Sequence, residues 1–102
     1  MSDEARPWDA ELAALRRDIH TLDRSIVDLL ARRVEIGRRI GEIKRAASLP
    51  VLDPGREAEV IRAVGEMARE AGLPSEHVRE IFWRVVALSR QAQWDKEGEG
   101  GR

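Results

Sequence analysis

Two long cationic side chains on one predicted helix could bind a small anion between them. Arg33 and Lys44 are eleven residues apart, which at ~3.6 residues per turn is only about 20° of rotation, so both point the same way. They are separated by roughly 16 Å along the helix axis at ~1.5 Å per residue, and two long side chains can lean toward each other across that gap. Arg16, seventeen residues before Arg33, points about 100° away and cannot easily join this pocket from the same helix. In an antiparallel dimer it could join the pocket of the neighbouring subunit.

A second predicted helix carries polar side chains on an apolar face. Phe82, Val86, Ser89 and Gln93 follow at steps of four, three and four residues, which is one face of an α-helix. Buried polar groups need hydrogen-bonding partners, and a polar ligand would supply them to Ser89 and Gln93. In the simpler interpretation, Arg33 reaches the surface with its stem on the core, and the two polar residues mark the exposed end of their helix. Together, the two interruptions favour a cationic pocket for a small polyanion.

A segment from Glu11 to Ala47 must position the first of these groups. Its apolar residues recur at steps of three and four, the spacing of a helix that packs against other helices, with Arg33 in the one slot that breaks the stripe. The stripe consists of Leu12, Leu15, Ile19, Leu22, Ile26, Leu29, Ile36, Ile40, Ile43 and Ala47.

The length of this helix predicts a dimer. About 37 to 40 residues span roughly 55–60 Å, whereas a domain of this size has a radius of gyration near ~13 Å. A symmetric pair is the commonest way to cover the stripe of such a projecting helix, so we expect an intertwined homodimer. The alternative is a helix that breaks at Gly37 or Gly41 and folds back as a monomeric bundle.

Composition narrows the class of protein. The 102 residues predict one domain, and 42% hydrophobic and 36% charged residues suit a helical protein with a modest core. A net charge of −1 argues against nucleic acid as a partner. Without cysteine, and with only His20 and His77 as imidazoles, we expect no metal site. No apolar run reaches membrane-spanning length, and the N-terminus lacks a signal-peptide hydrophobic region, so we expect a cytoplasmic protein without membrane contact.

The predicted architecture is all-α, with three helices over about 9–47, 54–71 and 75–94. Asp9, Asp53 and Ser75 are the predicted N-caps, Pro50 ends the first helix, and Gly72 ends the second. The domain spans 9–95, between a flexible N-terminus over 1–8 and a disordered tail over 96–102.

The sequence resembles the all-helical class of chorismate mutases, in its short bacterial, free-standing form. The resemblance covers about Leu12 to Gln93, and its polar positions recur at the family's spacings through three helices. It is carried by the runs LAALRRDIHTLD, LLARRVEIGRRIGEIK, VLDPGRE and LSRQAQ. It implies an intertwined dimer with two active sites, no cofactor, and possible association with a partner enzyme of the aromatic pathway.

The resemblance also implies the site and its reaction, the rearrangement of chorismate to prephenate toward phenylalanine and tyrosine. This isomerase step is a [3,3] shift inside one molecule, and every polar site position of the family is present. Arg33, with Arg16 of the neighbouring subunit, would bind the two carboxylates, while Lys44 and Gln93 would donate to the ether oxygen. Glu57 would accept from the ring hydroxyl. The remaining substrate-binding positions are Asp53, whose backbone would assist Glu57, Arg56, which would hold Glu57 and the loop, and Ser89, which would be a secondary contact.

Three alternatives stay open. A lyase on the same scaffold would split isochorismate into salicylate and pyruvate, although the DPGRE turn and Ser89 favour the mutase. A mutase for an amino analogue of chorismate is excluded only weakly. A non-catalytic helical dimer that binds a metabolite or docks onto another enzyme is the alternative from a different class.

Overall fold

The computed structural model describes residues 4–100, with side chains described for residues 4–94. It contains three helices: α1 (Asp9–Ala46), α2 (Pro54–Glu70) and α3 (Ser75–Gly100). The predicted all-α fold is confirmed, and all three helices begin at the predicted residues. The first two end within one residue of the predicted position.

The third helix is longer than predicted. We expected it to end near Trp94, and it continues to Gly100. No proline interrupts this stretch, and extending an existing helix costs far less than nucleating one. The composition of the last residues therefore predicted an end of α3 that is too early. Residues 101–102 of the predicted tail, and residues 1–3 of the predicted flexible N-terminus, lie outside the described residues.

The chain divides after Ala31 into two units. In the first, α1 carries the predicted apolar stripe, and its large side chains are exposed. Relative exposures run from 39% at Leu12 to 62% at Leu22. Burial of this apolar surface against another molecule would contribute roughly 25 cal/mol of free energy for each Å² removed from water.

The second unit has a small core between α2 and α3. Ile61, Val64 and Ala68 contribute from α2, and Val86 and Ala92 contribute from α3; all five are less than 9% exposed. The Oγ of Ser75 donates to the carbonyl oxygen of Gly65 at 3.1 Å, which ties the beginning of α3 to α2.

Two glycines allow α1 to approach α3 at backbone distance within this second unit. A Cβ atom built on Gly37 would lie 3.1 Å from the carbonyl oxygen of Ser89, and one built on Gly41 would lie 3.1 Å from Cβ of Gln93. Both glycines are buried. The helix continues through both positions, so a break there does not occur. The glycines bring the polar end of α3 against α1.

The helix ends show which predicted caps form. Asp53 is the N-cap of α2, and its Oδ1 accepts from the backbone N–H of Arg56 at 3.1 Å, as predicted. Gly72 has φ +77°, the left-handed conformation expected after α2. The other two predicted caps are wrong. The first backbone bonds of α1 and α3 end on the carbonyl oxygens of Trp8 and Pro74, so Asp9 and Ser75 each lie one residue inside their helix. The Asp9 carboxylate accepts from the backbone N–H of Arg6.

None of the helices in residues 4–100 is both long enough and apolar enough to span a membrane.

Candidate active site

A cavity of about 270 Å³ lies in the second unit, where the second half of α1 meets the beginning of α2 and the middle of α3. Its walls are aliphatic and its polar groups are predominantly cationic. The lining consists of Arg33, Ile36, Gly37, Ile40, Lys44, Val51, Asp53, Arg56, Glu57, Val60, Val86, Ser89, Arg90 and Gln93.

Seven of the eight predicted site residues line this one cavity. They come from three helices and the segment between α1 and α2, and they are Arg33, Lys44, Asp53, Arg56, Glu57, Ser89 and Gln93. The eighth, Arg16, is an exposed residue of the first unit and is absent from the lining.

Arg33 is held by the polar half of the α3 face. Its Nη1 donates to the Oγ of Ser89, and the Ser89 residue is only 7% exposed. Gly37, one turn after Arg33, allows the Ser89 backbone to come this close. The charge that interrupts the apolar stripe therefore has a partner at the cavity wall, which fixes the direction of a guanidinium that can still donate from its other nitrogens.

Lys44 is held by the segment between α1 and α2. Its Nζ donates to the carbonyl oxygen of Val51 at 3.0 Å. An ammonium has three N–H donors, so two remain for the cavity. The side chain is half-buried, and a positioned cation with spare donors can stabilise negative charge that develops on a nearby oxygen.

Glu57 forms an ion pair that the sequence did not predict. Its Oε1 lies 2.8 Å from Nη1 of Arg90, with the side chains 17% and 35% exposed. We predicted that Arg56 would hold Glu57, and this is wrong. The neighbouring side chains of a helix diverge, and the Arg56 guanidinium lies 3.6 Å from Glu59, with both side chains more than half exposed.

A spacing signal for Arg90 exists in the sequence. Val86, Arg90 and Gln93 are four and three residues apart, so Arg90 fits one helical face as well as Ser89 does. Its partner lies 33 residues away on another helix, which no local pattern reveals.

Gln93 has a polar atom with no partner at the cavity wall. Its Oε1 is buried and makes no hydrogen bond, while its backbone oxygen accepts from Nη1 of Arg45 at 2.7 Å. A buried polar atom without a partner costs about 1–3 kcal/mol. A half-turn of the carboxamide would present its nitrogen in the same place, so this side chain can accept from or donate to a ligand.

The charge of the lining suits a dianion. The lining contains four cationic side chains (Arg33, Lys44, Arg56 and Arg90) and two carboxylates (Asp53 and Glu57), a formal excess of two positive charges. The exposed Glu59 outside the lining offsets part of the Arg56 charge. In a partly buried site such charges act more strongly than in water. Among the residues with described side chains, no cluster of three or more His, Asp or Glu could hold a metal ion.

Comparison with known proteins identifies relatives across most of the chain. The family described as chorismate mutase type II matches residues 15–94. A protein named T-protein, from Enterobacter agglomerans, is 36% identical over 87 residues, which is 85% of this chain and 23% of that protein. A protein named 4-amino-4-deoxychorismate mutase, from Streptomyces venezuelae, is 37% identical over 46 residues, 45% of each chain. The matched segments therefore cover less than half the length of each of these two curated relatives.

A solved structure has a similar fold. A conserved hypothetical protein from Pyrococcus furiosus superposes with a TM-score of 0.66 and is 37% identical; the match covers 81% of this chain and 95% of that one.

Proposed function

Because the chain belongs to the chorismate mutase type II family, we propose that it is an isomerase that converts chorismate to prephenate. The observation that carries the proposal is the cavity itself. Its lining has an excess of two positive charges, and chorismate carries two carboxylates. Lys44 and Gln93 also leave donors or an unpaired atom at its wall.

To catalyse this reaction, a protein must orient the substrate and stabilise the charge that develops on it. An intramolecular [3,3] shift forms one carbon–carbon bond and breaks one carbon–oxygen bond within a single molecule, with no proton or electron exchanged. A site that holds the compact conformer removes much of the entropic barrier. Donors aimed at the ether oxygen, where negative charge grows, lower the barrier further.

We propose these roles for the lining residues. Arg33, fixed by Ser89, binds one carboxylate, because a guanidinium fork matches carboxylate geometry. The free donors of Lys44 and the carboxamide of Gln93 act on the ether oxygen. Glu57 accepts a hydrogen bond from the ring hydroxyl through Oε2, since Oε1 is engaged by Arg90.

The other predicted positions have lesser roles in this proposal. Asp53 contributes chiefly by capping α2, which fixes the position of Glu57 in the first turn. Arg56 is exposed and pairs with Glu59, so it adds positive charge at the mouth of the cavity. Ser89 acts through Arg33.

The second carboxylate is assigned to Arg16 of a neighbouring subunit. The support for a homodimer is the apolar stripe of α1, in which Leu15, Ile19 and Leu22 are more than half exposed. A second copy of the stripe would bury this surface, and symmetric self-association is the commonest solution. Arg16 lies beside this stripe, one position after Leu15.

A partner enzyme of the aromatic pathway is also part of the proposal, as is a cytoplasmic location. The T-protein extends well beyond the matched segment, which covers 23% of its length, so a domain of this family can work beside further sequence. The name of the Streptomyces venezuelae relative favours one second candidate, a mutase for the amino analogue of chorismate.

The test is loss of chorismate absorbance with purified protein and no added metal or cofactor, with the product identified. Prephenate would support the proposal. Salicylate from isochorismate, without turnover of chorismate, would move the protein to the lyase. Turnover of only the amino analogue would favour the second candidate, and no reaction with any of the three would overturn catalysis.

A further inference from the structure

The Glu57–Arg90 ion pair bears on which substituent of the substrate ring the site accepts. Building on the function proposed above, we infer that Arg90 is a positioning and specificity residue: by pairing with Glu57, it makes the site select a neutral hydroxyl over an ammonium at that ring position. The substrates to be distinguished are chorismate and 4-amino-4-deoxychorismate, in which an amine replaces the hydroxyl.

The geometry makes Arg90 the cation that governs Glu57. The 2.8 Å contact joins α3 to the first turn of α2, and both residues line the cavity. Glu57 is the more buried of the two, with 17% of its side chain exposed. Arg56, the cation next to Glu57 in the sequence, forms its ion pair with Glu59 instead.

A charge-assisted hydrogen bond of this length restricts the carboxylate to one orientation. One oxygen of Glu57 is occupied, and the other has lone pairs to accept from a ligand. A hydroxyl needs one such acceptor and brings no charge. The Glu57–Arg90 pair therefore offers a neutral hydroxyl the one acceptor that it needs, in a place where the charges are already balanced.

An ammonium at the same ring position would be bound less well than a hydroxyl. An aliphatic amine is protonated near neutral pH, so the analogue would place a cation at a carboxylate whose charge is already balanced. The Arg90 guanidinium would repel it in a partly buried site, where screening is weak. Discrimination between similar ligands often depends on such a repulsive element. If Arg90 were absent, Glu57 would be an uncompensated carboxylate and would favour the ammonium.

The test compares kcat/KM for both substrates at pH 7 in the full chain. The variants are Arg90→Gln, Arg90→Lys and the control Arg69→Gln, which removes an equivalent bond at 2.7 Å to Glu66 on the exposed side of α2. The wild type should prefer chorismate. Arg90→Gln should lower kcat/KM for chorismate by about tenfold and reduce the preference by at least about tenfold. Arg90→Lys, which keeps the charge, should retain most of the preference, and Arg69→Gln should change neither value.

The ratio of the two substrates separates this role from a structural one. If Arg90 only stabilised the fold, Arg90→Gln would lower both values equally, and an unchanged ratio in a folded variant would overturn the inference while leaving the function intact. A wild type that uses both substrates equally well would also overturn it, without reference to any variant. If the wild type converts neither substrate, the proposed function falls, and the inference with it.

Discussion

The backbone of Ser89 rests directly on Gly37, because the place where a Cβ atom of residue 37 would stand is 3.1 Å from the Ser89 carbonyl oxygen. The hydroxyl of the same serine accepts a hydrogen bond from Arg33, which lies one helical turn before Gly37 on α1. The close approach of two helices and the fixed direction of a cation in the cavity therefore share one residue.

Replacement of Gly37 by alanine should destabilise the protein. The added methyl must push α1 and α3 apart, and overpacking of this kind costs about 1–3 kcal/mol, which outweighs the helix propensity gained by losing a glycine, about 1 kcal/mol or less. The free energy of unfolding, measured by urea denaturation at fixed protein concentration, should fall. Gly55→Ala is the matched control, since the nearest atom to its added Cβ is 3.9 Å away. A Gly37→Ala protein as stable as the Gly55→Ala protein would contradict the close-packing explanation.

Replacement of Lys44 by alanine should lower kcat by about 10²–10³, the usual effect of removing one donor to a developing oxyanion. The free ammonium donors of Lys44 are the strongest candidates for that role in the cavity. Steady-state kinetics with chorismate would measure the loss. Arg38→Ala, on the exposed side of the same helix, should retain full turnover. Near-normal kcat in a folded Lys44→Ala protein would remove Lys44 from the mechanism.

Mixing two inactive variants should restore activity if the site is shared between subunits. Arg16→Ala and Lys44→Ala chains, unfolded together and refolded in equal amounts, would form heterodimers in half of all pairs. Each heterodimer would contain one intact site, so about a quarter of wild-type activity should return. Activity that stays at the level of the separate variants, after subunit exchange has been verified, would argue against Arg16 of a neighbouring subunit.

Replacement of Asp53 by alanine should cost about 1 kcal/mol of stability, because the N–H of Arg56 loses the acceptor that caps α2. Asp53→Asn keeps an acceptor oxygen and should cost much less. Chemical denaturation of both variants measures the difference. Equal losses in the two variants would show that the charge of Asp53, and not its cap hydrogen bond, stabilises the helix.

The helix boundaries were largely readable from the sequence because their causes are local. Pro54 after Asp53 specifies the beginning of α2, and Gly72 specifies the turn after it; both depend on conformational limits of one or two residues. The predicted cap at Ser75 is one residue late, because the first backbone bond of α3 joins the N–H of Val78 to the carbonyl oxygen of Pro74. The Ser75 hydroxyl donates to the carbonyl oxygen of Gly65 in α2, a contact between residues on different helices that no local pattern predicts.

The composition of the site was predictable only in part, for a similar reason. Arg33 and Ser89 could be suspected because each interrupts an apolar face. Spacing could not show that they bond to each other, nor that Glu57 pairs with Arg90 rather than with Arg56, since these contacts join helices distant in sequence. The family resemblance supplied Arg16, whose proposed site needs a second chain.

The hydrogen bond from Lys44 to Val51 has a consequence for how this protein can change over evolutionary time. The acceptor is a main-chain carbonyl, which every amino acid supplies, so substitutions at position 51 can accumulate without releasing the ammonium. Insertions or deletions between Ala46 and Asp53 would move that carbonyl and lose the bond. The connection between α1 and α2 should therefore tolerate drift in its residues far better than drift in its length.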